Sequence, residues 1–220
     1  MTAGNDGNCG LLAAMAGLLD SPGKGFDADV ESALRAADVD KATAAALACF
    51  AHAMLPLPLT VRQELHAATF EITPACVPYL SIHLFGEENY QRGVFMAALR
   101  QRYAEVGFVA SDELPDHLAV VLRYAAVAGQ DEARDLAQYC LLTPLTRLFG
   151  GLSPANPYRD LLVAIHAALQ ARFPGLVPAP LPAEQMRCHG DVAGCPGTDR
   201  ARRGCGGAER SAVAAAMPGE

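Results

Sequence analysis

Residues 79–118 read YLSIHLFGEENYQRGVFMAALRQRYAEVGFVASDELPDHL. Tyr79, Leu80, His83 and Leu84 share one helical face. Tyr90, Val94, Ala97 and Ala98 continue the spacing, beside Phe95, Leu99, Tyr103 and Val106. Side chains three and four apart lie on one face of a helix, so this spacing predicts helix over residues 79–108. Gly86 is placed to interrupt it and Gly107 to end it. After a loop, Pro115 suits a first helical position, where its missing N–H costs nothing. Leu118, Val121, Leu122 and Ala125 form the apolar stripe of the helix it opens, and Gly129 closes that helix.

The same pattern extends in both directions. Leu11, Met15, Leu18 and Leu19 recur at helical spacing behind Asn5 and Asp6, which can cap. Asp38 or Asp40 can cap a helix carrying Leu47, Phe50 and Met54, ended by Pro56 and Pro58. Thr60 and Gln63 have the spacing of a capping box, opening a short helix through Phe70. Asp131 starts a helix that Pro144 kinks or ends, and Gly150 and Gly151 make a loop. Asn156 caps, and Pro157 opens, a last helix with Leu161, Leu162, Ile165, Ala168 and Leu169 on one side. No alternating apolar–polar run of useful length is present. The expectation is an all-α, compact single-domain helical bundle over residues 1–173. Four prolines make 174–182 a stiff extended linker, and the Cys- and Gly-rich composition of 183–220 predicts a disordered tail.

Composition narrows the function. A helical body of this size buries roughly 70% of its unfolded surface and folds without staples. The 51% hydrophobic fraction with no Trp implies aliphatic packing. A net charge of −7 argues against nucleic acid, whose binders supply cations to phosphates. Residues 11–19 are apolar, but the first cation is Lys24, so they do not read as a secretory signal. Residues 42–59 are apolar but interrupted by His52, Pro56 and Pro58, unlike a span of ~20 apolar residues. The expectation is a cytoplasmic protein without membrane insertion, whose 7 scattered cysteines are free thiols.

No G-x-S-x-G elbow, phosphate loop, dinucleotide fingerprint or H-E-x-x-H motif occurs, so the chain does not read as an enzyme. Glu113, Asp116 and His117 cluster where a helix is expected to open. They can serve as ordinary helix-start electrostatics, or as an acidic rim receiving a cation or peptide N–H groups. His83 has the setting of a satisfied core or rim histidine. Arg92 and Gly93 stand mid-helix, where glycine suggests close helix approach or backbone access. Tyr79, Tyr90 and Tyr103 can line a groove or edge the core. Cys188, His189, Cys195 and Cys205 are soft ligands without the spacing of a zinc module. They keep open a second reading, a metal or metallocofactor carrier.

YLSIHLFGE at 79–87, RGVFMAALRQRY at 92–103, Gly107 and ELPDHLAVVLRYAA at 113–126 resemble the NarJ branch of the TorD/DmsD/NarJ family of molybdenum redox-enzyme maturation chaperones. A weaker match runs from about Leu11 to Phe173. The resemblance implies an all-helical cytoplasmic chaperone that binds the N-terminal segment of the catalytic subunit of a molybdenum oxidoreductase, nitrate reductase or a relative. It implies assistance in molybdenum cofactor insertion with no permanently bound cofactor, and a monomer or weak homodimer. By the same resemblance, peptide recognition falls to Glu113, Pro115, Asp116 and His117, and more loosely to Tyr79, His83, Arg92 and Tyr103. Arg123 departs from the acidic residue expected there in many relatives.

Overall fold

The computed structural model describes residues 3–37, 40–110 and 112–182. Every regular element among them is a helix: α1 (Ala3–Gly17), α2 (Phe26–Ala36), α3 (Lys41–Met54), α4 (Leu59–Phe70), α5 (Leu80–Phe85), α6 (Gln91–Glu105), α7 (Leu118–Val127), α8 (Gln130–Asp135), α9 (Leu142–Gly151) and α10 (Tyr158–Arg172). A π-helical turn, Leu136–Leu141, joins α8 to α9. The one β feature among the described residues is an isolated antiparallel bridge between Tyr79 and His117. The all-α expectation holds.

Helix α7 is apolar nearly all round, and such a helix must be buried. Leu118, Ala119, Val120, Val121, Leu122, Tyr124 and Ala125 are all inside. It packs against α1, which buries Leu11, Leu12, Met15 and Ala16. On the other side of the core α10 packs on α3 and α9, and it also touches α1. Phe50, Tyr158 and Phe70 join α3, α10 and α4 through ring contacts of 5.6 and 4.9 Å. No single described helix is long and apolar enough to cross a membrane.

Local signals resolve unevenly. Asp40 caps α3, accepting from Thr43 N at 2.8 Å and from its hydroxyl at 2.6 Å, which holds the carboxyl below its usual range. Gly86 ends α5 with φ 92° and Gly107 follows α6 with φ 68°, a backbone region that favours glycine. Asn156 Oδ1 accepts from Tyr158 N at 3.0 Å, capping α10 as its sequence suggests. Other expectations fail. Asn5 and Asp6 lie inside α1, not ahead of it. The capping box at Thr60 does not form: α4 starts at Leu59, and Gln63 instead donates to Pro22 O at 2.9 Å. Pro115 does not open α7, which starts at Leu118 with His117 as its cap. Of the two readings of Gly93, close helix approach is not found, since nothing lies within 4 Å of where its Cβ would stand, and open backbone access is what remains. Helix α2 escapes the sequence reading, although Phe26, Val30, Ala33 and Ala37 carry its buried stripe.

Pro144 does not end its helix, and Gly150 and Gly151 belong to the last turn of α9. The π-turn accounts for this. Leu142 N donates back to Ala137 O, skipping the carbonyl of Gln138. α9 thus starts afresh, and Pro144 stands in its first turn, where an N–H is not needed. The skipped Gln138 carbonyl accepts from Ala179 N at 2.9 Å. Gln138 Nε2 donates to Val177 O at 3.1 Å, and the Thr143 hydroxyl donates to Ala179 O at 2.7 Å. The proline-rich segment therefore lies along the π-turn, and Leu181 is 1% exposed. Leu181→Ala is expected to cost about 2–4 kcal/mol in urea denaturation, as for other core leucines. A segment that merely hung free would lose nothing.

Candidate functional site

Two strands of loop meet where the bridge forms. Leu80 N donates to Asp116 O at 2.9 Å, and Leu118 N to Pro78 O at 2.8 Å. This pairing holds the start of α5 against the start of α7. It carries the Asp116 side chain inward, where it is fully buried. Its Oδ2 accepts from the Ser81 hydroxyl at 2.5 Å and from Ser81 N at 3.3 Å. Ser81 Oγ in turn accepts from Arg92 Nε at 3.0 Å, while Arg92 Nη1 donates to Glu87 O at 2.7 Å. A guanidinium one hydroxyl away is thus the counter-charge for a carboxylate taken out of water.

This corrects the acidic rim read from the sequence. Asp116 cannot meet a partner; it ties α5, α6 and α7 together. Pro115 is buried as well, and its carbonyl accepts from Tyr103 OH at 2.7 Å. Tyr103 is packed between Phe108 and Tyr124 at 5.1 and 4.5 Å, and burial pushes its phenol well above the usual range. His83 Nε2 donates to Val77 O at 2.8 Å, tying down the loop before α5. Arg92, placed mid-helix by its sequence, stands in the first turn of α6.

Glu113, Tyr79 and His117 remain at the surface, and the fold brings them together. His117 Nδ1 accepts from Ala119 N at 3.3 Å, and its ring meets Tyr79 edge-on at 5.5 Å. Burial pushes the Tyr79 phenol up, assisted by the nearby charge of Glu113. The three line a cavity of about 220 Å³ with Asp20, His66, Phe70 and Glu71. A wider, open cavity of about 580 Å³ adjoins it, lined by Phe108, Val109, Asp112, Val120 and Arg123, and shares Asp20 and Glu113. The two form one trough with apolar walls and acidic edges. Arg123, unexpected by family resemblance, forms an ion pair with Asp20 at the junction.

A profile of the family described as nitrate reductase delta subunit matches residues 36–154. The chain belongs to that family. Its members are maturation chaperones of nitrate reductase. A comparison with curated proteins gives no match. The matched residues run from the end of α2 to just past α9, so they contain the bridge, the Asp116 network and part of the trough of this delta-family chain.

Asp20, His66, Glu71 and Phe108 escaped the sequence reading. They come from the α1–α2 loop, α4 and the end of α6, and no local spacing links them to residues 113–117. No group of three or more His, Cys, Asp or Glu among the described residues could hold a metal ion. Cys188, His189, Cys195 and Cys205 lie outside those residues. Burial pushes the thiols of Cys76 and Cys140 up to about 12, which keeps them unreactive.

Two outcomes are expected of this site. Asp116→Ala should lower stability in urea by about 2–4 kcal/mol by orphaning Ser81 and Arg92, whereas exposed Glu113→Gln should stay within ~0.5 kcal/mol. Stability should also depend on pH. Burial lowers the pKa of His83, His117 and His166 below the ordinary histidine value of about 6.5. The unfolded chain then takes up protons first, so the stability these groups confer is present above about 6.5 and lost as pH falls through their folded values. Denaturation midpoints across that range measure it, and His83→Gln should flatten the decline.

Proposed function

We propose that this chain captures the N-terminal segment of the catalytic subunit of a molybdenum-containing oxidoreductase, a nitrate reductase or a relative, and holds it while the cofactor is inserted into that subunit. The observation that carries this reading is the trough between α1, α4 and the turn before α7. Phe70, Tyr79, Phe108 and Val109 supply apolar wall, which gives affinity by burial. Asp20, Glu71, Asp112 and Glu113 outnumber Arg123 along its edges, a field that attracts a segment bearing cations. An amphipathic segment laying its apolar side into such a trough is a recurring mode of peptide recognition. The chain acts on this reading as a binding partner, not a catalyst, and its own residues hold no resident cofactor.

Calorimetry tests this with the full-length protein and a synthetic peptide of the catalytic subunit's N-terminal segment from the same organism. Binding with a Kd of about 1–100 μM is expected, about −8 to −5 kcal/mol. Glu113→Gln should weaken it about two- to fivefold without loss of fold. Absence of heat across that range, with folded protein, would refute the reading.

A further inference from the structure

The smaller cavity of the trough contains a chemical mismatch. His66 is 5% exposed, and its Nε2 stands 3.1 Å from Leu19 O. A carbonyl oxygen only accepts, so Nε2 carries a proton. In the neutral imidazole Nδ1 is then a bare acceptor. It faces Glu71 Oε1, a second acceptor, at 3.1 Å and makes no hydrogen bond to any described residue. The ring cannot easily turn away, because Phe70 and Tyr158 hold it at 5.2 and 5.8 Å. With Nδ1 unprotonated, two acceptors stand side by side in the pocket and call for a donor that serves both.

The surroundings say what kind of donor. Glu71 is half exposed and Glu113 lines the same cavity, while the other nearby carboxylate, Asp20, is already held by Arg123. The open charge is therefore negative, and the donor should be a cation. At about 220 Å³ this end of the trough suits one side chain, being smaller than the ~300–1,000 Å³ typical of cofactor and small-molecule sites.

We propose that this cavity seats a single lysine or arginine side chain of the bound segment, which donates to Glu71 and to His66 Nδ1 with Glu113 as further counter-charge. The inference rests on the peptide-capture reading above and assigns one residue class of the client to one place in the trough. Glu71 and His66 become specificity-determining residues, and the apolar walls beyond Arg123 take the rest of the segment.

The test is a double-mutant cycle by calorimetry on the full-length protein. The probes are the synthetic N-terminal peptide and its analogue with every Lys and Arg replaced by Gln. Glu71→Gln removes the charge and offers its own amide to His66; it should weaken the cationic peptide about three- to tenfold and leave the analogue unchanged. Glu64→Gln, an exposed change on the same helix, removes equal charge and should matter little for either. Nitrogen-15 NMR of the histidines adds a second readout: His66 Nδ1 should move to the shift of a hydrogen-bond acceptor with the cationic peptide only. Equal losses for both peptides, or equal losses in Glu71→Gln and Glu64→Gln, overturn the inference while peptide capture stands. So does a His66 already doubly protonated in the free protein at neutral pH, since Glu71 would then be satisfied internally. No binding of the cationic peptide by the unaltered protein removes both.

Discussion

A carboxylate with no exposed surface anchors the arrangement on which the trough depends. Asp116 sits under the bridge between Tyr79 and His117, and its oxygen is shared with the hydroxyl and amide of Ser81. Burying such a group is costly unless hydrogen bonds and a counter-charge answer it. Ser81 answers Oδ2 directly and Arg92 reaches it through the Ser81 hydroxyl, while Oδ1 has no hydrogen-bond partner among the described residues; the positions of Ser81 and Arg92 tie α5 and α6 to the turn before α7. Tyr103, donating to Pro115 O, locks the same turn from the other side. A turn held from two sides presents Glu113, Tyr79 and His117 in one fixed geometry, so this face of the trough is preorganised by residues that never reach it.

The π-turn at Leu136–Leu141 does similar work at the far end of the chain. One extra residue per turn leaves the Gln138 carbonyl without a helical partner, and the backbone at Ala179 supplies one. The proline-rich segment is thereby fastened to the bundle, with Leu181 filling a place in the core. An irregularity in the helix and an irregular segment satisfy each other's backbone groups, as buried polar groups require.

Helix periods explain how much of this was readable. The stripes of α6, α7 and α10, the breaks at Gly86 and Gly107, and the caps at Asp40 and Asn156 are local features, set by residues within a turn or two of each other. They survive in the fold with only small shifts. Two of the misreadings share a cause: Thr60 and Gln63 had the spacing of a capping box, but Gln63 found a carbonyl 41 residues away at Pro22. Pro115 had the chemistry of a helix start, but the bridge to residues 78–80 claimed its turn. In each, a long-range hydrogen bond outweighed a local one of similar strength.

The residue pattern alone thus determined the all-helical class, most helix positions and the delta-family membership, because periodicity and motif spacing are properties of the chain itself. Only the tertiary structure decided which of those residues face outward. Asp116 went inside because the backbone pairing of Leu80 with Asp116 and of Leu118 with Pro78 carries its side chain onto Ser81, and Glu113 stayed out. The partners of Glu113 in the trough, Asp20, His66 and Glu71, lie 42 or more residues earlier in the chain. Their meeting with Glu113 follows from tertiary packing, which no local spacing encodes.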